Sequence, residues 1–210
     1  MEIIINGFIT TATITAVALV FGLMLGTVLA MCRTLKIPVA DQLARVYIDA
    51  FRSLPLVLII FGFYLVAPGI VKTMFGINGD IRMACALIAF SLFEAAYFAE
   101  ILRSGFNAIP KNQLAACKSN GFTTLQSYRY VLIPQAIKNS LPVLVTQSII
   151  LFQDTALVYV IGLTDFFGSM VKTGEMNGNM PGMILAGSAV YLVLCVALQR
   201  VANRLQRGAV

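Results

Sequence analysis

The sequence predicts an all-α integral membrane protein with about five transmembrane helices, its N-terminus outside and its C-terminus inside. Three observations carry this. Of the 210 residues, 59% are hydrophobic and only 11% are charged, where soluble domains carry about 25% charged residues. Five apolar stretches each approach the ~20 residues a helix needs to cross a bilayer. The positive charges collect on one side of those stretches. A chain this poor in polar surface cannot cover a water-soluble globule, and lipid is its better solvent. The length fits one transmembrane domain, 1–210, with no room for a second soluble one.

The first stretch spans about 7–31. No basic segment precedes it and it is too long for a cleaved signal, so it is expected to be retained. It carries Gly22 and Gly26 at four-residue spacing, which lets helices approach closely. The second stretch runs over 46–66, with Pro55 loosening its backbone. The others are 82–102, 141–163 and 183–202. Arg33, Lys36 and Arg45 follow the first span. Arg103, Lys111, Lys118, Arg129 and Lys138 lie between the third and fourth, and Arg200, Arg204 and Arg207 come at the end. The other side has Lys72, Arg82 and Lys172. Positive charge favours the cytoplasmic side, which sets the orientation, and an odd number of spans agrees with it.

Several function classes drop away. A formal charge of +6 is explained by cytoplasmic loops rather than nucleic acid, since no basic patch is interleaved with exposed aromatics. Cys32, Cys85, Cys117 and Cys195 show no C-x-x-C spacing, and the chain has no histidine, so no metal site is expected. A membrane-embedded enzyme lacks a nucleophile beside a base. The absence of two matching halves argues against an inverted-repeat secondary transporter.

The connection 106–139 is long for a compact bundle. It is basic, yet Leu114, Ala115, Ala116 and Leu125 give it helical pieces, broken at Gly121 as by a helix-ending or turn glycine. Val131-Leu132-Ile133-Pro134 then forms an apolar tether ending in a helix-starting proline. Together these read as a short helix presented at the cytoplasmic face.

The loop resembles the cytoplasmic loop of permeases of ABC importers: E-A-A, three residues, Gly, nine residues, then I-x-L-P. Ala115-Ala116-Cys117, Gly121 and Val131-Leu132-Ile133-Pro134 keep that spacing, with Ala115 in place of Glu and Cys117 in place of the second Ala. Phe51-Arg52-Ser53-Leu54-Pro55-Leu56 resembles the F-R-x-x-P-L signature of polar amino acid permeases. Ala96-Tyr97-Phe98-Ala99-Glu100-Ile101-Leu102-Arg103 resembles their A-Y-x-A-E-I-x-R. Leu132-Ile133-Pro134-Gln135-Ala136 and Phe152-Gln153-Asp154-Thr155-Ala156-Leu157-Val158 resemble two further stretches. Phe93-Glu94-Ala95-Ala96-Tyr97 and Leu151-Phe152-Gln153-Asp154-Thr155 look most similar to permeases of glutamate/aspartate importers.

The resemblance implies a type I ABC importer (MetI-like) permease fold in a bacterial inner membrane. It implies import of polar amino acids, with glutamate and aspartate expected. The implied partners are two ABC ATPase subunits, a second permease subunit and a periplasmic amino-acid-binding protein. ATP and Mg would be bound by the ATPase, since this chain has no Gly-x-x-x-x-Gly-Lys-Ser/Thr loop, and the loop residues Ala115, Ala116, Cys117, Gly121, Ile133 and Pro134 would couple to it. The alternative class is an ion-coupled secondary transporter or a channel, acting without an ATPase.

Ionisable groups inside lipid are costly and face a cavity or a partner. Asp154 falls near mid-depth of the fourth span, with Gln147 on nearly the same face and Gln153 and Thr155 beside it. This stripe is expected to line the substrate path, or else to form an interhelical hydrogen-bond network. Glu94 lies near mid-depth of the third span, with Tyr97 one turn away; it can hold a substrate ammonium group or pair with an arginine. Arg52 has the planar fork that suits carboxylates, or it forms an ion pair with Asp49. Glu100 and Arg103 are expected to pair with each other. The outer segments 165–167 and 176–178 are expected to face the binding protein.

Overall fold

The computed structural model describes residues 1–75 and 79–207, with side chains for all of these except 70–75 and 205–207. Lys72 and Arg207, which entered the charge argument, lie outside the described side chains. Nine α-helices follow one another among the described residues, without a strand: α1 (Glu2–Thr34), α2 (Pro38–Ser53), α3 (Leu56–Phe75), α4 (Arg82–Asn107), α5 (Asn112–Ser119), α6 (Thr124–Ser127), α7 (Ile133–Asp154), α8 (Phe166–Met176) and α9 (Met180–Arg207). A π-helical turn, Tyr128–Leu132, leads into α7, and a 3-10 segment, Thr155–Ile161, extends it outward. Four of these helical stretches are long and apolar enough to cross a membrane, and the α2–α3 pair supplies a fifth crossing.

The second crossing differs from the continuous span expected over 46–66. The chain bends by 104° between α2 and α3. Pro55 is the cause: it offers no N–H to a helix, and its ring drives the residue before it out of the helical region. Leu54 is accordingly extended, at φ −103° and ψ 139°. The crossing is therefore a broken one, shared between α3 and α2, which carries Asp41, Arg45, Asp49 and Arg52 and lies at a steep angle to α3.

The centre of the bundle is the contact of α1 with α4. Gly22, Gly26 and Ala30 line the buried face of α1. A Cβ on Gly26 would lie 2.9 Å from both the Ala95 carbonyl oxygen and the Phe98 Cβ, and one on Gly22 would lie 3.0 Å from the Glu94 Cβ. The backbones approach this closely only because those side chains are absent, as the spacing predicts. The main apolar core lies beside this contact, around Ile14, Ile60, Phe90, Phe93, Leu151 and Val158.

On its other side α4 packs antiparallel to α7. Ser140 Oγ donates to the Ile101 carbonyl at 3.1 Å, and Asn139 Nδ2 to the Gly105 carbonyl at 3.4 Å. On the outer side, Arg82 clasps Asp80 and also donates to the Gly162 carbonyl, tying the start of α4 to the end of the 3-10 segment. The hydrogen bonds from Arg82 hold the Asp80 carboxyl down at about 2.

A second departure concerns 165–167, expected to face outward. Asp165 is fully buried and Phe166 nearly so. Asp165 caps α8, its carboxylate accepting from the Phe167 and Gly168 backbone N–H groups, as a helix start requires. The Phe166 N–H donates to Thr11 Oγ1 of α1, and the Phe166 ring packs on Phe8 and Tyr191. The cap must be buried because α8 folds back against α1. Residues 176–178 are exposed.

Gly26→Leu is expected to separate α1 from α4 and to cost roughly 1–3 kcal/mol or more, the range of overpacking, with Gly26→Ala intermediate. Thermal unfolding of the detergent-solubilised chain reads this out; an unchanged midpoint for the leucine variant would refute the close packing.

Candidate functional site

The proline break and the α4–α7 pair together shape a cavity of about 370 Å³, within the roughly 300–1,000 Å³ range of small-molecule pockets. Arg52 comes from the last turn of α2, Tyr97 and Ser104 from α4, and Asn139, Ser140 and Gln147 from α7. Its walls mix polar groups with aliphatic side chains such as Ile101 and Val143.

The Arg52 guanidinium lies over the Tyr97 ring, 5.4 Å from its centroid, a cation–π geometry. The ion pair with Asp49 weighed from the sequence does not form. Glu100 and Arg103 do pair, as expected, with Arg103 Nε 2.9 Å from Glu100 Oε2. Arg103 thus engages Glu100 and leaves Arg52 facing the cavity with its donors in hand.

Glu94 is fully buried behind the cavity wall. Gln147 Nε2 donates to both of its carboxylate oxygens at 3.2 Å. A carboxylate accepts at about four lone-pair sites, so this single amide leaves acceptor capacity unused. With its nitrogen committed to Glu94, the Gln147 amide keeps its carbonyl oxygen as a free acceptor. Cavity and carboxylate are therefore separated by one side chain.

The cavity brings together Arg52, Tyr97 and Gln147, with Glu94 behind. It does not include Gln153, Asp154 and Thr155. Asp154 lies seven residues beyond Gln147, roughly 10 Å further outward at a helical rise, and interacts electrostatically with Glu94. Gln153 donates to Cys195 Sγ of α9 at 3.4 Å, and the buried Thr155 hydroxyl donates to the Phe152 carbonyl. Gln153 thus makes an interhelical contact and Thr155 a local hydrogen bond. Sequence reasoning missed Ser104, Asn139 and Ser140. It ended the loop at 139 and began the span at 141, whereas α7 starts at Ile133; a helix traced back to Pro134 would have put Asn139 and Ser140 about two turns from Gln147.

The cytoplasmic connection is a helix and a capped turn. Ala115, Ala116 and Cys117 sit within α5, the alanines exposed and Cys117 buried. Gly121 follows at φ +80°. Its N–H donates to the Lys118 carbonyl, and that of Phe122 to the Cys117 carbonyl, the paired bonds of a Schellman ending. Thr123 and Gln126 close a reciprocal capping box on α6. Ile133 and Pro134 open α7.

A helical bundle with several membrane crossings, a polar cavity and a structured cytoplasmic loop defines a multi-pass membrane permease. The model of the binding-protein-dependent transport system inner membrane component family matches residues 18–209, and the chain belongs to that family. It is 39% identical over 206 residues to the glutamate/aspartate import permease protein GltK of Escherichia coli O157:H7, covering 97% of this chain and 92% of that one. It is 32% identical to a probable glutamine ABC transporter permease protein of Bacillus subtilis, over 96% of this chain and 91% of that one. A crystal structure of an amino acid ABC transporter with histidines superposes with a TM-score of 0.85 at 29% identity, covering 98% of this chain and 94% of that one. A chain of the MetNI methionine ABC transporter in an inward facing conformation, at 18% identity, with a TM-score of 0.82 and coverage of 100% and 97%, shares the fold. The fold is the type I ABC importer permease fold, as expected, and the chain is an inner membrane protein.

Gln147→Leu removes the amide donor of Glu94 and is expected to destabilise the protein by about 1–3 kcal/mol, the cost of stranding a buried polar group. Adding Glu94→Leu should recover most of that loss. Thermal unfolding of the two variants checks it: an additive double variant would mean the pair is not coupled.

Proposed function

We propose that this chain is the permease subunit of an ABC importer that moves amino acids inward, with glutamate and aspartate as substrates. ATP and Mg are bound by two ATPase subunits, a second permease subunit completes the path, and a periplasmic binding protein delivers the substrate. The observation that carries the reading is the chemistry of the cavity: a guanidinium at Arg52 on one wall and an acceptor group, Gln147 backed by Glu94, on another. An amino acid presents a carboxylate to the first and an ammonium to the second. The 39% identity to a glutamate/aspartate permease over nearly the full length supports the acidic assignment.

In this reading Arg52 binds a substrate carboxylate through its fork, Tyr97 holds the guanidinium in place, and Gln147 and Glu94 receive the ammonium. Gln153, Asp154 and Thr155 flank the outer part of the path, where the Asp154 charge acts on Glu94 from a distance. The exposed face of α5, with Ala115 and Ala116, docks on the ATPase. Cys117 anchors α5 from below, Gly121 ends it, and Ile133 and Pro134 link it to α7. Helix-in-groove docking is a common way to receive such an element.

The test is uptake of labelled glutamate, aspartate, glutamine, arginine and histidine into proteoliposomes holding the assembled importer, with ATP inside and binding protein outside. Uptake of the acidic pair that needs both is expected. Preference for another amino acid removes the substrate assignment, and uptake driven by an ion gradient without an ATPase overturns the importer reading.

Two variants sharpen the reading. Arg52→Gln is expected to lower uptake of glutamate by roughly ten- to a hundredfold, the value of a charge-assisted hydrogen bond; equal kinetics with wild type would remove Arg52 from the path. Gly121→Val places a β-branched residue in the left-handed region, costing about 1–2 kcal/mol, and is expected to weaken co-purification of the ATPase, while Gly121→Asn retains it. A valine variant that keeps its ATPase would exclude the capped turn from docking.

A further inference from the structure

Glu100 lines the cavity together with Arg52, and its partner Arg103 does not. Glu100 stands one turn from Tyr97 on the same side of α4, and the Arg52 guanidinium lies over the Tyr97 ring. Three cations act electrostatically on the Glu100 carboxylate: Arg103, Arg52 and Arg33. Arg33 Nε is 3.2 Å from Asp41 Oδ1. Arg103 donates to both oxygens of Glu100, through Nε and Nη2. Of the three, Arg52 is the one without a carboxylate partner among the described residues.

The Glu100 side chain is 25% exposed and that of Arg103 30%, so close packing does not lock either one. The bidentate fork of Arg103 is what holds the carboxylate. A Glu100 released from it has one uncommitted guanidinium within electrostatic reach, and that guanidinium belongs to the same cavity. Glu100 also carries the charged group that the proposed substrate presents to Arg52. An arginine fork is filled by one bidentate carboxylate, so Glu100 and a substrate carboxylate are competitors for it.

We propose that Arg103 is a positioning residue for substrate binding: by holding Glu100 it keeps an internal competitor off Arg52 and leaves that guanidinium open to the substrate carboxylate. The inference rests on the reading of Arg52 as the carboxylate site and adds what keeps the site open. With Arg103 removed, Glu100 pairs with Arg52 and takes the substrate's place. The apparent affinity then falls in proportion to the fraction of protein whose Arg52 remains free. A partly exposed ion pair sets that loss at roughly three- to tenfold. Removing the Glu100 charge as well removes the competitor, so the loss is reversed by a second substitution rather than deepened.

The test is equilibrium binding of labelled glutamate to the importer assembled with its partner subunits, without binding protein, beside thermal unfolding of the same assemblies. Arg103→Gln is expected to raise Kd roughly three- to tenfold, Arg103→Lys to stay near wild type, and Arg103→Gln/Glu100→Gln to return to it. In unfolding, Arg52→Gln should lower the midpoint further in the Arg103→Gln background than in wild type, because there it breaks the new pair with Glu100. A double variant that binds as weakly as Arg103→Gln would make Arg103 a structural residue only and overturn the proposal. So would an equal effect of Arg52→Gln in the two backgrounds. A Glu100–Arg52 pair seen in unfolding with no change in Kd would instead overturn the reading of Arg52 as the carboxylate site. If the unsubstituted assembly binds no glutamate, that reading fails too, and the unfolding comparison still decides the pairing.

Discussion

The close approach of α1 to α4 is the constraint on which the other positions depend. Gly22 and Gly26 bring the α1 backbone against the stretch from Glu94 to Ala99, so one side of α4 is sealed. Glu94 projects from a helix whose neighbour leaves no room for solvent, and its carboxylate has to find its partner on α7. The amide of Gln147 supplies it. That bond, with the Ser140 and Asn139 bonds nearer the cytoplasmic end, sets the register of α7 on α4. The cavity opens where the same two helices have polar groups but no third helix between them.

A single proline sets the third wall of the cavity. Without Pro55 the chain from α2 into α3 could continue as one straight helix. The break leaves Arg52 at the end of a separate helix, with its guanidinium over Tyr97. Charge is thereby placed beside the apolar bundle without being buried in it.

Much of this was legible in the sequence. α1, α4 and α9 were read as spans within several residues because their apolar runs are long and uninterrupted. The glycine pair announced its packing, and Gly121 announced a helix ending. What escaped was structure that hydropathy does not encode. Pro55 signalled a weakened helix but not a 104° turn, whose angle is set by where α2 and α3 find partners. α8 was missed because eleven residues with Phe166, Phe167 and Met170 among glycines and a lysine do not amount to a span, and because the burial of Asp165 comes from its role as a helix cap. Arg52, Tyr97, Gln147 and Glu94 were each singled out, but their proximity depends on the α4–α7 register. Asn139 and Ser140 fell in the gap between a loop and a span that are in fact one helix.

The cavity also explains why opposite charges can share a site without cancelling each other. Glu100, the carboxylate within electrostatic reach of Arg52, is held by Arg103 in the same helix. Glu94, the other carboxylate, is held by an amide, a partner that is neutral. One acid is thus paired with its own cation and the other is hydrogen-bonded to a neutral amide. The guanidinium of Arg52 is left to an aromatic ring, which attracts a cation more weakly than a carboxylate does. A site built this way keeps a cation and an acceptor ready for an incoming group of each sign. For a zwitterion with an extra carboxylate, the proposed substrate class, that division provides attraction at both ends of the molecule while the remaining acid, Glu100, is kept occupied.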